Sequence, residues 1–189
     1  MNIKTFSNNY GEITALCRET NFLWIGYIAS GLARLRKVSI FNPNLVYYDI
    51  SISGIRINKI INSGDYIYLS IDSNINIGAR FYKTNPIGLF IYYTKPAEII
   101  ENSIDLITDF NYVYFLIPGL LSGTNAKIVK HNKSTGAFVE IINLTTVNNA
   151  KKIDMDFYCN IWVVSGVSDI ELIKVWYDMN WQNQKYIIS

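Results

Sequence analysis

The side chains able to do chemistry are few. The chain carries one histidine, His131, and two cysteines, Cys17 and Cys159, far apart and in no metal-like spacing. A nucleophilic triad needs a histidine beside its nucleophile with an acid behind it, and a zinc cage needs several nitrogen or sulfur ligands in one place. One histidine in a polar stretch assembles neither, so His131 is expected to be an exposed turn residue. Asp154 and Asp156 stand two apart; on a strand they share a face, as paired acids for acid–base work would, and as an ordinary solvated face would too. The run Asp72-x-Asn74-x-Asn76-x-Gly78 resembles the start of a calcium loop, but Lys83 stands where the closing glutamate belongs, so an Asn-rich turn is expected. No glycine-rich phosphate loop follows a strand and opens a helix. The expectation is a chain that is not an enzyme and has no cofactor and no metal.

The elements that would position these groups are set by a repeat. Four stretches share one layout: an apolar strand centred on an aromatic, a loop, then a third strand. The central aromatics are Trp24, Tyr68, Tyr114 and Trp162. A period in the forties marks a repeat architecture. Each repeat divides into four short runs bounded by Gly, Pro, Asn or Asp, which is the signature of a meander. The approximate repeats are 13–51, 54–96, 101–146 and 150–189, and no segment shows a sustained helical apolar period. Lys37, Lys83, Lys130 and Lys174 line up at the ends of the third strands, as solvated termini or as a ring of positive charge. The fold class expected is all-β, a single β-propeller domain over 1–189 made of four four-stranded antiparallel blades. The alternative is a β-sandwich.

The run Leu23-Trp24-Ile25-Gly26, with Gly31-Leu32 and Arg34-Leu35 behind it, resembles blades of two-component-regulator-type propellers. Lys133-Ser134-Thr135-Gly136 before Phe138-Val139 is similar to the turn that precedes the outer strand in quinoprotein-like blades. The Gly-His and Trp-Asp pairs of WD blades are absent, as are the double glycine of kelch blades and the Ser-x-Asp-x-Gly box of sialidases. The resemblance implies an architecture, and propellers host many unrelated functions. Four blades imply either a small closed domain, similar in size to hemopexin-type domains, or an arc that needs partners.

Composition narrows the partners. Half of the 189 residues are hydrophobic, enough for a sizeable core, and Ile (31) and Asn (21) are in excess. Ile suits strands and Asn suits the turns between them, while an AT-rich genome would raise both. The net charge is +2, with Lys and Arg scattered singly or in pairs. That gives no basic stripe for nucleic acid and no polybasic membrane patch. No stretch approaches the roughly 20 apolar residues of a membrane helix, and the opening MNIKTFSNNYGE lacks a signal-peptide layout. Cytoplasmic synthesis with reduced thiols is expected, and the sequons at Asn132 and Asn143 are expected by chance in so Asn-rich a chain.

Two apolar patches stand out as partner-binding candidates. One is Pro118, Leu120 and Leu121, in the longest second-to-third-strand loop, where the counterpart loops are small or polar. The other is Trp176, Tyr177 and Trp181 near the C-terminus. The function expected is a non-catalytic structural or protein-interaction propeller, as a homo-oligomer or in a larger assembly. Compact size and AT-biased composition also suit a bacteriophage virion component such as a tail protein. A carbohydrate-binding propeller lectin is the alternative, although its loops should then repeat from blade to blade.

Overall fold

A computed structural model describes residues 11–85, 90–121, 123–144, 147–165, 170–175 and 183–188. Sixteen strands and no helix occur among them. They form four antiparallel sheets, each a four-stranded meander in chain order. The chain divides into two compact units, Met1–Tyr92 and Tyr93–Ser189.

In the first unit, blade 1 contains β1 (Ile13–Glu19), β2 (Phe22–Ala29), β3 (Leu32–Ser39) and β4 (Val46–Ser51). Blade 2 contains β5 (Arg56–Ser63), β6 (Tyr66–Asp72), β7 (Asn76–Tyr82) and β8 (Ile91–Thr94), within which the division falls. In the second unit, blade 3 contains β9 (Asp105–Thr108), β10 (Tyr112–Ile117), β11 (Lys127–Asn132) and β12 (Phe138–Asn143). Blade 4 contains β13 (Ala150–Met155), β14 (Ile161–Ser165), β15 (Ile170–Val175) and β16 (Asn183–Ile188).

Short turns force this antiparallel order. Between β2 and β3 only Ser30 and Gly31 intervene, both at positive φ (53° and 75°). That is the primed hairpin turn whose twist matches the strands it joins, and it favours Gly at the second position. Irregularities repeat as well. The first strand carries a register shift near its start at Ile13/Ala15, Ile57/Lys59 and Ala150/Lys152. The pairing of third with fourth strand shifts at Lys37/Val38 and again at Lys130/His131, with Tyr47 and Val139 the extra residues on the fourth strands. Bulges at equivalent positions re-aim the side chains around them and mark the blades as structural copies.

Each sheet has two faces to hide, and the neighbouring sheet hides one. In the first unit, Trp24, Ala33 and Leu35 of blade 1 share a core with Ile57, Ile60, Ile67, Leu69, Ala79 and Phe81 of blade 2. In the second unit, Ile107, Tyr114, Leu116 and Ile128 of blade 3 share one with Ile153, Ile161 and Val163 of blade 4. The middle strands β6 and β10 are close to continuously buried instead of alternating. Gly26 shows how close the contact is: a Cβ placed there would lie 3.0 Å from the Ile57 Cβ of the next blade.

One strand starts earlier than the sequence suggests. The expected loop 72–78 shrinks because Ser73 Oγ accepts the N–H groups of Ile75 and Asn76, so β7 begins at Asn76. That places Asn76 and Gly78 on a strand and not in a calcium-like loop, while Asn58 Nδ2 donates to the Asp72 carboxylate.

Leu69 is fully buried in the first core, whereas Ile75 is exposed. Leu69→Ala is expected to cost about 2–5 kcal/mol and Ile75→Ala less than about 0.5 kcal/mol, read from urea unfolding midpoints.

Candidate functional site

The second and third strands build one cluster repeatedly. In blade 1, Trp24 Nε1 donates to Glu19 Oε2 (2.6 Å), and Lys37 Nζ pairs with the same carboxylate at 3.0 Å. Lys37 also lies 4.2 Å from the Phe22 ring centre and 4.9 Å from that of Trp24. In blade 3, Tyr114 donates its hydroxyl to Asp109 (2.7 Å), Lys130 lies 4.3 Å from the Tyr112 ring, and Glu140 pairs with Lys130 at 2.8 Å. In blade 2, Arg80 lies 4.4 Å from the Tyr66 ring and stands opposite Tyr68. In blade 4, Trp162 donates to Asp156 (3.0 Å) and stands opposite Lys174.

The repeating cations are therefore Lys37, Arg80, Lys130 and Lys174 in register terms. Lys83 does not belong with them: it follows β7 and donates to the Gly64 carbonyl. Lys37 and Lys130 are buried, so neither is a solvated strand end. Each side chain is paired with a carboxylate and set against aromatic faces, an arrangement that fixes the ring geometry of the blade.

His131 is also placed otherwise than the sequence suggests. β11 continues through it, and regular strand alternation puts it opposite buried Val113 on β10, where it is fully buried itself. Tyr93, Phe115 and Phe138 surround it edge-on at 5.5–5.9 Å between centres. Nδ1 donates to the Gly136 carbonyl (3.0 Å), which leaves Nε2 as the acceptor nitrogen, with no hydrogen-bond partner among the described residues. Burial pushes the imidazole pKa down, and the Gly136 carbonyl only partly opposes it.

Of the expected partner-binding residues, Pro118 is buried while Leu120 and Leu121 are exposed. The Glu101 carboxylate accepts the N–H groups of Leu120 (3.0 Å) and Leu121 (3.2 Å) and the Thr124 hydroxyl (3.1 Å). Partial burial pushes the Glu101 pKa up, but these donors outweigh it and hold the acid below its usual range. The loop tip is thus fixed, with its two leucines facing water. Trp176, Tyr177 and Trp181 lie outside the described residues.

Three exposed aromatics escaped the sequence reading. Phe110 is 93% exposed, Phe157 95% and Tyr158 81%. All sit on first-to-second-strand turns of the second unit, whose counterparts in the first unit are Thr20-Asn21 and Gly64-Asp65. The turns beneath them are locked. Asp109 Oδ1 accepts the N–H groups of Asn111 (2.7 Å) and Tyr112 (2.5 Å), and Lys133 Nζ donates to the Asp109 carbonyl (2.7 Å). Asp156 accepts four bonds, from Tyr158 N, Asn160 N, Asn160 Nδ2 and Trp162 Nε1. Slight desolvation raises its pKa, but these donors prevail and lower it to about 2. The signal available in the sequence was aromatics embedded among Asp and Asn turn residues.

Asp154 and Asp156 do share a face, and it is not simply solvated. With Lys152, Met155, Trp162 and Val164 they line a hollow of about 340 Å³ on blade 4. Cys17 and Cys159 are both free thiols, and burial pushes the Cys17 pKa up. Among the described residues no group of three His, Cys, Asp or Glu side chains could hold a metal, and no helix is long and apolar enough to cross a membrane.

No family model and no curated protein matches the chain. Solved structures do. The hydrazine synthase of Kuenenia stuttgartiensis superposes with a TM-score of 0.71 at 12% identity, over 93% of this chain and 53% of that one. The β-propeller domain of Myceliophteria thermophila Cps50 (Swd1) gives 0.60 at 9% identity, over 92% and 57%. The GH43 endo-arabinanase of Bacillus licheniformis gives 0.52 at 13% identity, over 98% and 82%. The chain thus spans about half the length of the first two. At these identities the likeness concerns the fold, which is an all-β propeller architecture of four-stranded blades.

One expectation is corrected by these similarities. The sequence argued against an enzyme, yet an endo-arabinanase shares the architecture. A single histidine rules out only triads and metal cages, and carboxylates alone can carry hydrolytic chemistry. The fold leaves catalysis open.

The buried His131 makes stability depend on pH. Its folded pKa lies below the unfolded value of about 6.5, so the unfolded chain binds the extra proton and stability falls as pH drops through that value. His131→Phe is expected to shrink the loss of melting temperature between neutral pH and about pH 5. An unchanged loss would mean that other groups carry it.

Proposed function

We propose that this propeller is a structural and protein-interaction module that engages its partner through apolar side chains carried on rigid turns. The observation behind this reading is the set Phe110, Phe157 and Tyr158, nearly fully exposed on carboxylate-locked turns. Large exposed aromatics cost solubility when unpartnered, and holding them rigid in advance lowers the entropy lost on docking. Aromatic anchors of this kind are what dominate interface energies. Leu120 and Leu121 offer a second contact at the other end of blade 3, since β10 runs between the two regions.

Compact blades and an AT-biased composition support a setting in a virion or comparable assembly, where copies pack side by side. A carbohydrate-binding propeller draws less support, because the second-to-third-strand connections differ in length: Ser30-Gly31 in blade 1, residues 73–75 in blade 2 and 118–126 in blade 3. Repeated sugar pockets need repeated loops.

The combined variant Phe110→Ser, Phe157→Ser, Tyr158→Ser tests the reading. Its melting temperature should stay within about 2 °C of the parent, because the removed side chains bury almost nothing. A protein retained from source-cell extract by the parent should be lost by the variant. Equal retention by both would remove the aromatic tips from the interface.

A further inference from the structure

In each of the first three blades, the turn between second and third strands presents an aliphatic side chain to water. Leu32 follows the turn in blade 1 and is 55% exposed; Ile75 and Leu120 lie within it in blades 2 and 3, at 68% and 61%. In the first unit these residues belong to a patch, because the chain sets a third aliphatic residue between the first two. Ala33 N, beside Leu32, donates to the Gly54 carbonyl (3.0 Å), and Ile55 N donates to the Asp72 carbonyl (2.9 Å), where the turn carrying Ile75 begins. Ile55 is 58% exposed. Leu32, Ile55 and Ile75 thus stand together at the starts of β3, β5 and β7.

The backbone under the patch is fixed by the Ser30–Gly31 hairpin turn and by Ser73 Oγ, which accepts the Ile75 and Asn76 N–H groups. Its border is polar. Arg56, next to Ile55, pairs with Glu12 at 3.1 Å, and both side chains are exposed. Ser73 and Asn74 add a neutral stretch beside Ile75. An apolar centre within a polar rim is the anatomy of a protein interface, and interfaces between identical chains are the more apolar kind.

We propose that a second copy of this chain covers the patch in a two-fold contact. Leu32, Ile55 and Ile75 of each copy face those of the other, and Arg56 of each meets Glu12 of the other. Charge decides the occupant. An anionic membrane or an acidic partner calls for a surplus of cations on the border, and a basic partner for a surplus of anions. The border here holds one of each side by side, which makes it complementary to itself. Self-complementarity is what a two-fold contact requires, since the same patch serves on both chains. The contact uses the first unit alone and none of the aromatic tips, so either proposal can fail without the other.

The experiment is sedimentation velocity of the whole chain and its variants at micromolar concentration, with folding checked by circular dichroism. The parent is expected at twice 21.7 kDa. Ile55→Asp, at an exposed position, should weaken self-association about tenfold or more. Ile75→Asp replaces it should Ile55→Asp not fold. Glu12→Arg puts two arginines from each copy at the contact, and Arg56→Glu puts two glutamates there, so each alone should run as a single chain. Losing the exposed ion pair costs the fold little. In an equimolar mixture arginines meet glutamates, and the two-chain mass should return. A parent of single-chain mass overturns the proposal. So does undiminished self-association of the folded Asp variant, or a mixture of the charge variants no more associated than either alone.

Discussion

A twisted four-stranded sheet of these residues has two apolar faces, and no single blade can bury both. That constraint organises everything else here. It explains why Gly26 must lack a side chain beside Ile57 and why each unit has one core built from two sheets. Stability in such an architecture is a sum of blades and the interfaces between them, so an uncovered face is a standing liability. The polar interactions serve the same end. Glu19, Asp109 and Asp156 each hold the central aromatic of a blade by its polar atom, so the ring meets its neighbour in one orientation.

Surface chemistry follows from the turns that this packing permits. The turn carboxylates Asp109 and Asp156 satisfy backbone N–H groups, which rigidify short connections and leave aromatic tips outside. The Glu101 carboxylate does the same for the Leu120–Leu121 tip. Burial works in the opposite sense at His131, where an aromatic surround excludes charge and converts a polar residue into a packing element.

Much of the fold was legible because a period survives divergence. Trp24, Tyr68, Tyr114 and Trp162 recur at intervals set by blade size, and all four occupy the same register position. The third-strand cations were half legible: Lys37, Lys130 and Lys174 aligned, but a shorter loop in blade 2 moved the equivalent position from Lys83 to Arg80. His131 was misplaced because its neighbours Asn132 and Lys133 are polar, although β11 runs on through it and its register sets it opposite buried Val113. Phe110 and Phe157 carry little mark in the sequence, because they stand singly in short polar turns between first and second strands. Asp154 and Asp156 could be paired by spacing, but only the register reveals Trp162 beside them.

Blades of one unit stabilise each other through their faces, and hydrogen–deuterium exchange of Trp24→Ala is the measurement that probes this. The substitution removes a ring on blade 1 that packs against Ile57, Ile60 and Leu69 of blade 2. Exchange is expected to be faster in β5 and β6 as well as in β2, because the shared core loosens on both sides. Acceleration confined to blade 1, with β5 and β6 exchanging as in the parent, would contradict it.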